Sequence, residues 1–491
     1  MTTPKLFSNL PVKKLTDDTD YLGLRDKGDI IKLILTNNKE QFNEIKMFSL
    51  YGEWGSGKSS LMKYLESELQ DEFNTFFFEA WEYEKDENLA YSLIEFLASK
   101  NEDILEETCD EILKFGGRIL RGLGKSIKMN IPLFTNGPGI ELDPAAFVEE
   151  VTKEEELTFY KALKEFKNEF KRLEGRMTSS EKNNNYNIIF IDDLDRCEPE
   201  QVLNLLSAIK LFFTYGKKTI FFCGVDKKAV EEAVKTKYGE VIKANEYLEK
   251  IFDVSFTMPF HDDLRLLLNN YFNNSTRYNI SGTLWTLSEW VEHFLIGLDF
   301  TNPRRVKKVF NKFLILRNIS GLGLFFGFPN IGSTKRNKKV SVFEVLLVVY
   351  LIILHEFYHD SFQSFLNFGK KRLTFVKFNE EEKSNSSSFP LPSYLKLLSE
   401  EEKLDIPYKN FSKDDNLLDL DDFFIMLSPS NFHTMVSEGS PLSGKKFLSE
   451  ENSIEILFYD YIVENIDVFI EDRYMSDSSF GLIKDIITRA L

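Results

Sequence analysis

The sequence predicts an α/β protein built on a doubly wound parallel sheet, with a helical insertion and a mainly helical C-terminal domain. Three observations carry this. An apolar run from Ile45 to Tyr51 leads straight into a glycine-rich turn, and helical spacing restarts at Ser60. Two further apolar runs, Ile188 to Ile191 and Thr219 to Val225, lack the period-two alternation of a half-exposed strand, as strands covered by helices on both faces do. A wide helical face lies between those two runs, so strands and helices alternate as they do in layered parallel sheets.

In chain order, residues 1–20 read as a lead segment and Leu24 to Leu35 as an amphipathic helix. After the Ile45–Tyr51 strand and its helix, Thr75-Phe76-Phe77-Phe78-Glu79-Ala80 reads as a second strand, and residues 87–105 as helix. Residues 110–150 are irregular and glycine-containing, and 150–175 are highly charged with helical periodicity. A polar break at Thr178 to Asn185 precedes the Ile188 strand. Val202, Leu205, Leu206, Ile209, Phe212 and Phe213 then share one helix face, and Pro199 sits where a first helical turn starts. Beyond Pro259 no such strand run recurs. Residues 262–320 and 340–491 read mainly as helix, broken by a Ser/Asn run between Glu380 and Pro392. The expected organisation is a lead (1–20), a core (21–260, with a helical or irregular insertion at about 100–182), a helical lid-like subdomain (261–334) and a C-terminal domain (335–491).

Composition sets the limits of function. At roughly 150 residues per domain, 491 residues make about three units. With 43% hydrophobic and 28% charged residues, a disordered or fibrous chain is excluded. The net charge of −17 repels phosphate backbones, so a nucleic acid partner would need a local basic patch. Cys109, Cys197 and Cys223 have no CxxC spacing, which excludes a disulfide scaffold and a cysteine zinc site. Met1 to Lys14 lacks the pattern of a signal peptide, and the longest unbroken apolar run, Val345 to Leu354, falls short of the ~20 residues of a bilayer span. The expected compartment is the cytoplasm.

The turn after Tyr51 carries the strongest chemistry. Gly52-Glu53-Trp54-Gly55-Ser56-Gly57-Lys58-Ser59 fits G-x-x-x-x-G-K-[ST] at every fixed position, between a predicted strand and a predicted helix. Glycines let the backbone wrap a polyphosphate with its N–H groups inward, and the helix offers its positive end. These residues and Ser60 are the candidate nucleotide-binding set; Lys58 would reach the β/γ-phosphates, and the Ser59 hydroxyl would ligate Mg²⁺. Gly122-Leu123-Gly124-Lys125-Ser126 also ends in G-K-S, but Ile119 stands where the first glycine is needed. Asn187-Ile188-Ile189-Phe190-Ile191-Asp192-Asp193 is an apolar strand ending in paired carboxylates, the form of a Walker B segment. Asp192 would hold Mg²⁺ through water, and Asp193 would orient or deprotonate the attacking water, although Asp is shorter than the Glu common there. Arg196 would pair with a carboxylate or approach phosphate.

Ile191-Asp192-Asp193-Leu194-Asp195-Arg196-Cys197 resembles the hydrophobic-D-D-L-D-R-C segment of the KAP family of P-loop NTPases. Asp20-Tyr21-Leu22-Gly23-Leu24-Arg25 is similar to that family's opening segment, Ala80-Trp81-Glu82-Tyr83 to its A-W-x-Y strand end, and Cys223-Gly224-Val225-Asp226 to its sensor strand. Tyr247-Leu248-Glu249-Lys250 resembles its Y-L-E-K segment and Asn302-Pro303-Arg304-Arg305-Val306-Lys307-Lys308 its N-P-R-x-x-K helix. The resemblance covers about residues 15–320. It implies an ATPase core with an added strand between those bearing the two Walker motifs, and a soluble member, because residues 85–185 hold no membrane-length apolar run. It further implies that Asp226 is sensor-like and that Arg304, Arg305 or Lys250 reads the γ-phosphate, within the subunit or across an interface. Bacterial members linked to phage exclusion suggest a defence role.

Two other patterns carry separate expectations. His355-Glu356-Phe357-Tyr358-His359 matches H-E-x-x-H, which on one helix face would bind zinc with Glu356 as base. Lys114, Arg118, Arg121, Lys125 and Lys128 recur at helical spacing with no acid between them. A basic segment over 114–128 suits an anionic membrane surface, a nucleic acid, or plain packing. The functional readings are an ATP-hydrolysing switch or motor acting with a protein partner or a second copy, a nucleotide-gated scaffold with little hydrolysis, and a zinc hydrolase.

Overall fold

The computed structural model of the chain describes residues 6–12, 14–17, 19–86, 88–100, 127–130, 139–142, 159–178, 185–239, 244–259, 263–272, 277–280, 282–318, 342–366, 417–418, 446–447, 453–465 and 487. The chain divides into two compact units, Leu10–Phe260 and Met1–Asn9 together with His261–Leu491.

The first unit is a parallel five-stranded sheet. Its strands are β1 (Met47–Tyr51), β2 (Asn74–Glu79), β3 (Asn187–Asp192), β4 (Thr219–Val225) and β5 (Val254–Thr257), in the order β2-β3-β4-β1-β5. The strand that ends in the phosphate-binding turn, β1, is therefore separated from the carboxylate-bearing β3 by β4, as the family resemblance implied. Successive side chains alternate between faces. Phe48, Leu50, Ile188, Phe190, Ile220 and Phe222 pack against α1 (Leu24–Asn37) and α2 (Lys58–Glu68). Met47, Ile189, Ile191, Phe221, Cys223 and Val225 join the opposite core. That core is completed by α3 (Leu89–Ser99), α4 (Phe159–Met177), α5 (Pro199–Phe212), α6 (Lys227–Tyr238) and α7 (Ala244–Ile251). Every position of β3 and β4 is buried, which is why neither run alternates in hydropathy.

The insertion is not helical throughout: Ile127–Asn130 pairs antiparallel with Gly139–Leu142 ahead of α4. Helix α4 is fastened to the sheet by the buried Glu174. Its carboxylate accepts the N–H groups of Lys217 (2.9 Å) and Lys218 (2.7 Å) and the Thr219 hydroxyl (2.9 Å). Strand β5 goes beyond what hydropathy predicts; it is a short edge strand with alternating exposure that sits beside β1.

The second unit holds short strands beside its helices. Arg277–Ile280 and Thr283–Thr286 form an antiparallel pair, and Leu417–Leu418 pairs parallel with Lys446–Phe447. The described helices that follow are α8 (Leu287–Gly297), α9 (Pro303–Asn318), α10 (Val342–Phe357), α11 (His359–Leu366) and α12 (Ile454–Glu464). Thr286 and Glu289 form a capping box at the start of α8. Gly297 allows close approach, because a Cβ there would lie 2.5 Å from Tyr461. Helix α10 is apolar because it is core; Tyr350 stacks on Phe458 at 3.8 Å. Among the described residues no single helix is long and apolar enough to cross a membrane.

Candidate phosphate-binding site

The Gly52–Ser59 turn joins β1 to α2 at the carboxyl edge of the sheet. Gly55 (φ 86°) and Gly57 (φ 101°) adopt the left-handed conformation that an L side chain resists. At Gly52 the constraint is space, since a Cβ would lie 2.6 Å from the Ser56 hydroxyl and from Met258. Lys58 opens α2 with its amine folded back over the turn, donating to the carbonyls of Gly52 (2.9 Å) and Glu53 (3.2 Å). Asp195 Oδ2 lies 3.8 Å from the same amine.

At the end of β3, Asp192 is 2% exposed. Burial raises its proton affinity, and the Ser59 hydroxyl, the Asp193 N–H and the Lys58 charge oppose that rise. Ser59 and Asp192, far apart in sequence, are thus brought close enough for the hydroxyl to favour the charged carboxylate. Asp193 follows with φ 57°, a left-handed conformation uncommon outside glycine. Burial pushes its carboxyl up to about 6, assisted by Asp192, while Arg196 opposes the shift. Arg196 Nε lies 3.2 Å from Asp193 Oδ1.

Neighbouring strands complete the site. Gly224 on β4 leaves room for the carboxylate, since a Cβ there would lie 2.9 Å from Asp192 Oδ1 and 2.8 Å from Met62 Sδ. Asp226, just past β4, caps α6 by accepting the Lys228 N–H (3.1 Å) and accepts the Trp54 N–H (3.0 Å). It ties the end of β4 to the phosphate turn. Lys228 pairs with Glu53 at 2.6 Å. At the end of β2, Glu79 is in register with Asp192 and is paired with Lys63 at 2.7 Å. Asp195, Gly224 and the Asp226 tether are additions to the sequence reading. The first was visible in D-D-L-D-R, whereas the other two depend on which strand neighbours which.

The remaining candidates are Lys250, Arg304 and Arg305. Lys250 is exposed in the last turn of α7, where Tyr247, Leu248 and Ile251 are core residues; the Tyr247 hydroxyl lies 3.2 Å from Ser207. Arg304 and Arg305 belong to the second unit and open α9, whose first N–H groups are capped by Asn302 Oδ1 at 3.1 and 3.3 Å. Arg304 also donates to the Asn9 carbonyl, and Arg305 lies over the Phe357 ring. The N-P-R run is thus in part a helix start, with Pro303 at the first position.

The zinc arrangement is not formed. The chain bends by 118° at the break between Phe357 and His359, so the two histidines do not share one helix face. Glu356 is held by ion pairs from Lys308 (2.8 Å) and Lys312, and it also meets His355 at 3.1 Å. Among the described residues, no group of three or more His, Cys, Asp or Glu side chains is arranged to hold a metal. Lys114, Arg118, Arg121 and Lys125 of the basic segment, and the Gly122–Ser126 run, lie outside the described residues. Lys128 falls in an antiparallel strand rather than a helix.

The KAP family P-loop domain matches residues 29–320. Two uncharacterized proteins of Methanocaldococcus jannaschii are similar in sequence. One is 37% identical over 173 residues, covering 30% of this chain and 88% of its own length. The other is 34% identical over 121 residues, covering 23% of this chain and 46% of its own length, so the chain spans about half of that relative.

Proposed function

The chain belongs to the KAP family of P-loop domains, and from that premise we propose that it hydrolyses ATP with Mg²⁺ as a switch acting on a protein partner or a second copy of itself. The observation that carries this reading is the meeting of Ser59 with the buried Asp192 beside the Lys58 amine. A buried carboxylate whose proton affinity is raised favours a compensating cation, and the hydroxyl beside it is a hard oxygen donor. These residues fit a magnesium–nucleotide.

The turn would cradle the polyphosphate with its N–H groups and the start of α2. Lys58 would exchange the carbonyls of Gly52 and Glu53 for phosphate oxygens, moving its charge onto the group that gains negative character. Ser59 and Asp192 would hold Mg²⁺, which when bound neutralises developing charge on the phosphates. Asp193 would orient the attacking water and take its proton. The water oxygen bonds to the γ-phosphorus as the bond to the β–γ bridging oxygen breaks, giving ADP and phosphate. Arg304, Arg305 and Lys250 remain candidates for a finger or sensor.

The test is equilibrium binding and turnover of ATP by the full chain and by Asp193→Asn. Binding retained with turnover lost by about 100-fold or more supports a base at this position. ATP binding without turnover in the wild type would favour a nucleotide-gated scaffold.

A further inference from the structure

Arg196 has no part in the chemistry described so far, yet three independent features converge on it. Its guanidinium carbon lies 5.0 Å from the centre of the Trp81 ring, in the turn that follows β2. Its Nε lies 3.2 Å from Asp193 Oδ1. Asp193 is in a left-handed backbone conformation, so its side chain leaves β3 in a direction that a regular strand would not give. The short turn between Asp193 and Arg196 is closed by backbone bonds from Arg196 N to Asp193 O (3.2 Å) and from Cys197 N to Leu194 O (3.3 Å). The aspartate, the arginine and the indole thus come from two neighbouring strand ends and form one chain of contacts.

We propose that Arg196 is a positioning residue, which Trp81 holds by its ring face and which in turn fixes the rotamer of Asp193 toward the attacking water. This deepens the ATPase reading and rests on it. A planar guanidinium suits this role, because such a group can lay its face on a ring while its edge meets a carboxylate. An ammonium is a point charge and fixes no plane. Trp81 is 49% exposed, and Arg196 lies over its ring. The groups facing Asp193 are Asp192 from β3, Asp195 and Arg196 from the turn, and Glu79 from the end of β2; Arg196 is the one cation among these described groups.

The experiment compares the full-length wild type with Arg196→Ala, Arg196→Lys, Trp81→Ala and Trp81→Phe, reading kcat, KM for ATP, melting temperature and rescue by added guanidinium. Wild-type turnover is read first, and its absence overturns the ATPase reading and this proposal together. Given turnover, the expected result for Arg196→Ala is a 10- to 100-fold fall in kcat with KM changed less than about threefold, and partial recovery with guanidinium. Arg196→Lys falls between the wild type and Arg196→Ala, and Trp81→Phe retains more activity than Trp81→Ala. A raised KM with unchanged kcat would place Arg196 on the phosphates and overturn the proposal. A kcat loss that tracks a lower melting temperature and is not rescued by guanidinium would reduce Arg196 to a structural role and also overturn it.

Discussion

At the scale of single residues, the site is legible where chemistry admits few alternatives. The phosphate turn has to be glycine-rich and has to end in Lys followed by Ser or Thr, so Gly52 to Ser59 stands out from the sequence. A paired carboxylate at a strand end likewise marks Asp192 and Asp193. Gly224 and Asp226 matter through their neighbours in space, and no local spacing encodes that. Gly224→Ala should push the new Cβ against Met62 and Asp192. We expect Mg²⁺-dependent ATP affinity, measured by titration with a fluorescent analogue, to fall about tenfold, with a packing cost of about 1–3 kcal/mol. Lys46 gives a prediction away from the site. It is 3% exposed, and burial lowers its amine to about 8, opposed by Glu174 and Asp253. Its folded-state value lies below the 10.5 of the open chain, so charging it costs stability below pH 8. That cost fades as the pH rises from 8 toward 10.5. Lys46→Met should therefore stabilise the protein at pH 7, on the order of 1 kcal/mol after screening, with the gain shrinking in denaturant melts run toward pH 10.

At the scale of elements, β1, β3 and β4 follow from hydropathy because burial on both faces leaves an unmistakable apolar run, while the partly buried β2 follows from its run of phenylalanines and the helix after Pro199 from its apolar face. Edge strand β5 and the Arg277–Thr286 pair escape it for the opposite reason. Short, half-exposed strands carry mixed residues and a weak period. The H-E-x-x-H run shows the limit of motif reading. Its spacing is right only if the helix continues, and the chain bends at Tyr358 instead. What Glu356 does is join α10 to the basic face of α9 through Lys308 and Lys312. Removing it leaves two ammonium groups without their buried partner, and Lys312 is already pulled below its ordinary range by burial and by Lys308. Glu356→Ala should cost about 3 kcal/mol in chemical denaturation. Chelators should leave the stability of the wild type unchanged; a drop on adding EDTA would revive a structural metal there.

At the scale of the whole molecule, the two units divide at residues 260 and 261, with the phosphate turn in one and Arg304 and Arg305 in the other. The family match runs across that division, from 29 to 320. The glycine-rich Gly52–Ser59 turn and the family match agree on nucleotide binding. The measurement that tests this most directly is Mg²⁺-dependent ATP hydrolysis by the purified chain, with Lys58→Ala and Asp192→Ala beside it and ATP binding recorded in the same samples. The expected result is wild-type turnover that both substitutions abolish, with ATP raising the wild-type melting point and leaving that of Lys58→Ala unmoved. A wild-type chain that binds no nucleotide at all would contradict the account.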